Sequence, residues 1–301
     1  MISGEYLVMK GAQSLALPVK FGQDLRVQSN DKNDLLLYWQ AGVQGKNWFD
    51  AVFDLANLEI IETNDIQKAR FLKSLLHEAN RLNPKTLKNS KGLKILTHAN
   101  FNIEWGLGSS STLIANMAKW FKIDPFVLHF KISKGSGYDI ACANARTPIF
   151  YTLKDQRPNV EPADFNPDFS DQIFFVYLGQ KQRSDKSIEN LKHRLEKREN
   201  EIQRVSEISE ELCATHDLDE FEFFINELEA MMSQALGMPT AKESRFTDFP
   251  GSVKSLGAWG GDFVMVTWRD GLENLKSWLR PKGLDIVFTF ADLILKDTSG
   301  N

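Results

Sequence analysis

The sequence predicts an α+β protein of two domains, and three observations carry that reading. Strand-like and helix-like stretches follow one another without a regular βαβ alternation, which points to helices packed on one face of largely antiparallel sheets. A polar segment punctuated by Pro158, Pro162 and Pro167 separates two such series. The 301 residues suffice for two domains of ordinary size, with expected bounds of 1–165 and 166–301.

Taken in order, residues 4–40 alternate apolar and polar positions around turns and predict an antiparallel meander or a set of hairpins. Residues 64–83 place Ile66, Ala69, Leu72, Leu75, Leu76 and Ala79 at helical spacing. A polar turn leads to a strand near Leu93–Thr97. The run NIEWGLGSSST (102–112) precedes a helix ending near Lys122, and a second helix covers 124–133. The turn KGSGYD leads on to a strand in ANARTPIFYTL. In the second half, DQIFFVYLG (171–179) reads as a strand. Ile188, Leu191, Leu195, Ile202, Val205, Ile208 and Leu212 then mark a charged helix lying on a sheet. A helix near 217–236, the strand FVMVTW, a helix near 270–280 and the strand DIVFTF complete the series.

The composition is that of a soluble globular protein, 42% hydrophobic and 25% charged. A net charge of -4 exerts no general pull on nucleic acid or an acidic membrane, so neither is an expected partner and any anion must be bound locally. Cys142 and Cys213 match no metal or redox spacing, which suggests reduced thiols in a cytoplasmic protein. No basic segment followed by an apolar run opens the chain, and no 18-residue apolar stretch occurs. The histidines at 77, 98, 129, 193 and 216 show no i,i+4 pairing and argue against a zinc site.

Two glycines and four hydroxyl residues directly before a helix can be an ordinary capped turn or an anion site. A helix N-terminus offers unpaired N–H groups and about half a positive charge. Gly106 and Gly108 let the backbone approach a phosphate, while Ser109, Ser110 and Ser111 can donate to its oxygens. One of these hydroxyls can also join the shell of a Mg²⁺ ion. The run is not a Walker motif, because no G-K-[ST] follows. Two further glycine turns, KGSGYDIAC with Asp139 and KSLGAWGGDF (254–263), complete a constellation that could enclose a nucleotide.

At these residues the chain resembles the GHMP kinases, named for galactokinase, homoserine kinase, mevalonate kinase and phosphomevalonate kinase. GEYLVMKGAQSLALP (4–18) is similar to the family's first motif, NIEWGLGSSS to its second and KSLGAWGGD to its third. GSGYD is similar to the aspartate motif of mevalonate-type members. The resemblance runs from the first residues to Val266, and the wording GSGYDIA suggests a bacterial subgroup close to mevalonate and phosphomevalonate kinases.

The resemblance implies an N-terminal mixed α/β domain with a left-handed βαβ unit and a ferredoxin-like C-terminal domain. It implies ATP and Mg²⁺, with Gly106, Leu107, Gly108, Ser109, Ser110 and Ser111 at the phosphates and Ser110 toward the metal. Asp139 would orient and deprotonate the acceptor. Glu5 would lie near the substrate, Ser136 and Gly137 beside the base, and Gly257, Ala258, Gly260 and Gly261 over the reacting centre. The implied activity is phosphorylation of mevalonate or phosphomevalonate in isoprenoid precursor synthesis, on a small acidic substrate. Lys181, Arg183 and Lys186 would meet that substrate or simply begin a solvated helix. A homodimer stays open.

Several positions depart from the family pattern. Asn102 replaces a proline, Ser111 an alanine and Trp259 a glycine. Leu128 stands where mevalonate kinases place a Mg²⁺-binding glutamate, eleven residues before the aspartate, which favours the phosphomevalonate-like members or implies another metal ligand. The family's first strand and lysine would fall before Met1, so the expectation is a truncated or mis-assigned start. Two alternatives remain: a non-catalytic nucleotide- or metabolite-binding paralogue, and a diphosphomevalonate decarboxylase.

Overall fold

A computed structural model describes residues 1–30, 34–88, 90–179 and 198–296. By packing, the chain divides into two compact units. Met1–Lys20 and Ala145–Asn301 form the first, here called the terminal unit, and Phe21–Asn144 form the inserted unit. Packing thus groups 1–20 and 145–165 with the C-terminal residues, a different division from the boundary expected at 165.

The terminal unit opens with a 3₁₀ turn, Leu7–Lys10, and strand β1, Ser14–Ala16. The sequence reading made residues 4–10 a strand, but the backbone is left-handed at Gly4, Tyr6 and Gly11. Gly4 is obligatory there, since a Cβ would stand 2.5 Å from that of Ser14.

In the inserted unit the strands are β2 (Gln23–Ser29), β3 (Leu36–Val43), β4 (Lys46–Asp54) and β5 (Ile60–Thr63), followed by helix α1 (Ile66–Leu82) and β6 (Leu93–Ala99). The sheet order is β2-β6-β3-β4-β5, with β3 and β6 parallel and the other pairs antiparallel. The expected meander of residues 4–40 is therefore wrong: β1, β2 and β3 do not pair with one another. Alternation reveals which face of a strand is buried and says nothing of its neighbour. Asp65 caps α1 by accepting from the N–H groups of Gln67 and Lys68.

Three helices follow: α2 (Ser109–Phe121), α3 (Pro125–Ile132) and α4 (Tyr138–Asn144). Helix α3 starts at Pro125 with Asp124 as its cap, and α2 stops at left-handed Lys122. Helix α4 was not anticipated. Seven residues are too few to show a period, and it is held by packing against α2. Leu37, Trp39 and Phe53 of the sheet meet Leu75, Met117, Phe121, Leu128 and Ile140 of the four helices in one core.

The chain then returns to the terminal unit with β7 (Ile149–Lys154) and β8 (Arg157–Pro162), which extend β1 into a three-stranded sheet of order β1-β7-β8. Pro158 and Pro162, read as punctuation of a loop, lie in this edge strand, where a missing N–H does no harm. Next come β9 (Ile173–Tyr177), α5 (Glu199–Ala214), α6 (Leu218–Leu236), α7 (Ala241–Arg245), β10 (Val253–Leu256), β11 (Phe263–Thr267), α8 (Gly271–Leu279), β12 (Val287–Thr289) and α9 (Phe290–Leu293). Apart from the short α7 and α9 and the pairing of two helices, α5 and α6, in the first crossover, this is β-α-β-β-α-β with antiparallel order β10-β11-β9-β12, the ferredoxin-like arrangement. The beginning of the helix expected from 185, with Lys181, Arg183 and Lys186, lies outside the described residues. Among the described residues no helix is long and apolar enough to cross a membrane.

Gly251 gives a test of this sheet. A Cβ there would lie 2.0 Å from the carbonyl oxygen of Thr267, so Gly251→Ala must push two backbones apart. We expect a loss of about 3 kcal/mol or more in urea denaturation. Gly45→Ala, also strained at φ +79° but with open space around it, should cost only about 1 kcal/mol. Equal losses would refute the close approach.

Candidate active site

The GLGSSS run folds as its glycines dictate. Asn102 accepts from the N–H of Glu104 and begins a 3₁₀ turn, Ile103–Trp105, that ends on left-handed Gly106. Gly108 is again left-handed (φ +80°) and is itself the cap residue of α2. With no side chain at that position, no side-chain hydrogen bond caps the helix. A Cβ on Gly108 would meet nothing within 4 Å, so the space over this first turn is open. Ser110 is exposed there, Ser109 is half-buried and Ser111 is turned into the protein. The four consecutive hydroxyl residues therefore divide. Thr112 Oγ1 is 3.0 Å from the carbonyl of Ser109 and 3.2 Å from Gln23 Oε1, and Asn116 Nδ2 donates to the carbonyl of Gln23 (2.7 Å). These bonds moor α2 to β2 while its first turn stays bare.

Helix α4 packs against α2 and brings the second motif into the same unit. Left-handed Gly137 accepts from the N–H groups of Ile140 (3.0 Å) and Ala141 (3.1 Å), which starts α4 with Asp139 in its first turn. Ser136 and Gly137 are buried beneath it. Asp139 keeps some contact with solvent, yet desolvation raises its carboxyl pKa, against a hydrogen bond from Tyr138 that lowers it. On the same helix, burial pushes the Cys142 thiol up to about 12, so it is no nucleophile at neutral pH. Leu128, eleven residues before Asp139, is fully buried in the apolar core.

Glu5 and the third glycine loop belong to the terminal unit. The carboxylate of Glu5, the residue expected near a substrate, accepts from Lys254 Nζ at 2.8 Å, with only 7% of the residue exposed. Lys254 is fully buried and also donates to Glu229 (3.1 Å) and to the carbonyl of Ser255 (2.8 Å), so all three ammonium protons are used. Burial opposes its charge, but Glu5 and Glu229 more than offset this, and its pKa lies above the ordinary value. Glu229 is raised by burial, with Lys254 pulling the other way and Glu5 adding repulsion.

Just after Lys254, Gly257 and Gly260 are left-handed and the N–H of Gly261 returns to the carbonyl of Ala258. Trp259 is buried. Its backbone N–H donates to the Tyr6 hydroxyl (2.8 Å) and its indole N–H to the carbonyl of Pro239 (3.1 Å). Trp259 is thus an anchor within its own unit. The structure therefore groups the expected residues in two sets, Gly106–Ser111 with Ser136, Gly137 and Asp139 in one unit, and Glu5 with Gly257–Gly261 in the other. Sequence reasoning missed Tyr6, Glu229 and His129. The first two act across long stretches of chain and carry no local signal. His129 does stand ten residues before Asp139.

No family model and no curated protein matches the chain. Solved structures do. Mevalonate kinase from Methanococcus jannaschii is 14% identical, with a TM-score of 0.69 over 98% of this chain and 95% of that one. Phosphomevalonate kinase from Streptococcus pneumoniae, solved with phosphomevalonate and AMPPNP, is 13% identical, with a TM-score of 0.70 over 96% of both chains. Galactokinase from Lactococcus lactis, solved with galactose, is 10% identical, with a TM-score of 0.62 over 98% of this chain and 91% of that one. At such identities the likeness establishes the fold and nothing finer.

Two predictions follow from the buried charges. Lys254→Met would leave two carboxylates buried face to face and should cost about 3–5 kcal/mol by chemical denaturation. Asp139 works in the opposite sense. Its folded-state pKa is raised, so its favourable contribution is complete below the unfolded value and lost as pH rises through the folded one. Asp139→Asn should therefore be more stable than the wild type at pH 7, with the gap closing below about pH 4. Urea midpoints measured across that range check the sign.

Proposed function

We propose that this chain, which has the fold of the GHMP kinases, is an ATP-dependent small-molecule kinase whose acceptor is mevalonate or 5-phosphomevalonate. The observation that carries the reading is the bare, glycine-flanked first turn of α2, packed through its helix against the one that holds a desolvated Asp139. Free N–H groups and open space over Gly108 suit the phosphates of ATP, and the hydroxyls of Ser109 and Ser110 add donors. Asp139 would take the proton of the acceptor hydroxyl or phosphate as that oxygen attacks the γ-phosphorus. The bond from the γ-phosphorus to the bridging oxygen then breaks and ADP leaves. A raised pKa strengthens such a base.

The residues present fit a Mg²⁺ ion held mainly by nucleotide phosphates. Ser110 offers an exposed hydroxyl with no capping role, whereas buried Leu128 can offer no ligand. When bound, the ion would neutralise phosphate charge as it develops. The apolar Leu128 is also what favours the phosphorylated acid over mevalonate itself, following the family pattern. In the terminal unit, Trp259 holds the glycine loop at 257–261. That anchored tryptophan equally supports a second reading, a paralogue that binds nucleotide and metabolite without transfer.

Turnover separates the two. Gly108→Val should abolish ATP binding by calorimetry, because its side chain fills the open space over the turn and disfavours φ +80°. Asp139→Asn should still bind ATP and lose at least about 10²-fold in turnover. Wild type and variant would be assayed with mevalonate, 5-phosphomevalonate, galactose and homoserine. Unchanged ATP affinity in a folded Gly108→Val protein would remove the loop from the site. Undiminished turnover in Asp139→Asn would remove the base, and ATP binding with no turnover on any acceptor would favour the paralogue.

A further inference from the structure

The reading above gives no task to His129, although its ring is among the most constrained polar groups of the inserted unit. The residue is 6% exposed. Its Nε2 lies 3.2 Å from the carbonyl oxygen of Gly135, and a carbonyl can only accept, so Nε2 carries the proton. Burial lowers the ring's pKa and keeps it neutral, which leaves Nδ1 as the unprotonated nitrogen. Among the described residues Nδ1 is buried and has no hydrogen-bond partner. A second bond therefore does not explain why the ring is held there; the bond to Gly135 does.

Gly135 is gripped from two sides. Its N–H donates to Ser133 Oγ at 3.0 Å. A Cβ on it would stand 3.3 Å from that oxygen and 3.8 Å from both Cε1 and Nε2 of His129. The ring and the Ser133 hydroxyl thus pack directly against the glycine, and two residues later Gly137 supplies the carbonyl that starts α4. Asp139 lies in the first turn of that helix. The Asp139 carboxyl also acts on the ring, raising its pKa against the stronger effect of burial. A buried donor on rigid α3 is linked to the candidate base through one short turn.

We propose that His129 is a positioning residue for Asp139: its Nε2–H bond to the Gly135 carbonyl fixes the Ser133–Gly137 turn and with it the start of α4. The role in catalysis rests on reading Asp139 as the base; the clamp itself does not. A kinase gains most of its rate from alignment, and displacement by about 1 Å can cost on the order of 10²-fold. A mobile turn would misplace Asp139 without touching the bare first turn of α2, so the loss should fall on kcat and spare the KM for ATP.

Two variants and three measurements test this. His129→Leu fills the space without a donor, and His129→Gln returns an N–H near the position of Nε2. Nitrogen NMR of the wild-type ring should show the Nε2–H tautomer. In His129→Leu, amide hydrogen exchange over residues 135–141 should speed up at least about tenfold while α1 and the sheet keep their protection. His129→Gln should recover most of that protection. Where an acceptor is turned over, kcat of His129→Leu should fall about 10- to 100-fold with KM for ATP within about twofold, and His129→Gln should regain most of it.

An Nδ1–H tautomer would overturn the proposal. So would wild-type exchange in His129→Leu, or a His129→Gln protein as loose as His129→Leu. Should His129→Leu fail to fold, the tautomer and the exchange rates of His129→Gln still decide the matter. Absence of turnover on every acceptor would count against the kinase reading alone, since tautomer and exchange are measured without substrate.

Discussion

A helix whose first N–H groups have no side-chain cap is an unfinished structure, and α2 is the helix on which the inserted unit depends. It touches α1, α3, α4 and β2, and supplies Ile114, Met117, Ala118 and Phe121 to the core. Gln23 moors it to the sheet through Thr112 and Asn116. An ordinary sequence would place a serine or aspartate at the cap, for a gain of roughly a few tenths of a kcal/mol over glycine. Gly108 stands there instead, left-handed and open above. The helix is held firmly along its length, which lets its end remain electrostatically bare. An anion is the natural complement of that end.

The terminal unit answers a different constraint. An ammonium group with no solvent exposure must have its charge and all three protons satisfied, and Lys254 does so through the N-terminal turn, α6 and its own strand. Glu5 sits at one corner, directly before Tyr6, whose hydroxyl accepts from Trp259. The loop 257–261 is therefore held at its root by the ion triad and at its middle by the tryptophan. This loop has two left-handed glycines around a buried anchor, which gives it a fixed shape.

Legibility in the sequence followed the range of the interactions. Helix α1 could be read almost to the residue, because Asp65 caps it and five apolar residues repeat on one face. The glycine at 108 was visible because its left-handed backbone favours that residue above all others. The pairing of β1 with β7 and of β2 with β6 was not, since partners far along the chain leave no trace in local alternation. Glu5 shows the same limit within the candidate site. Its carboxylate identity was plain, but its partner Lys254 lies 249 residues away, so the ion pair left no local trace. His129 looked unremarkable because its role depends on a carbonyl, and carbonyls have no residue type.

Neighbouring residues on two helices show how core and site are made by one act of folding. On α3, Leu128 enters the apolar core while His129, the next residue, reaches the carbonyl of Gly135. On α4, Ile140 enters the same core while Asp139, the residue before it, holds the desolvated carboxylate. Successive helical residues project about 100° apart, so fixing one side chain of each pair fixes the direction of the other. Close packing allows little rotation of either helix. The polar geometry of the candidate site is thus set from beneath, by Leu128 and Ile140. A glutamate in place of Leu128 would have to leave that core to reach a metal ion, taking the register of His129 with it. In this chain the apolar residue at 128 and the position of the Asp139 carboxyl rest on one core.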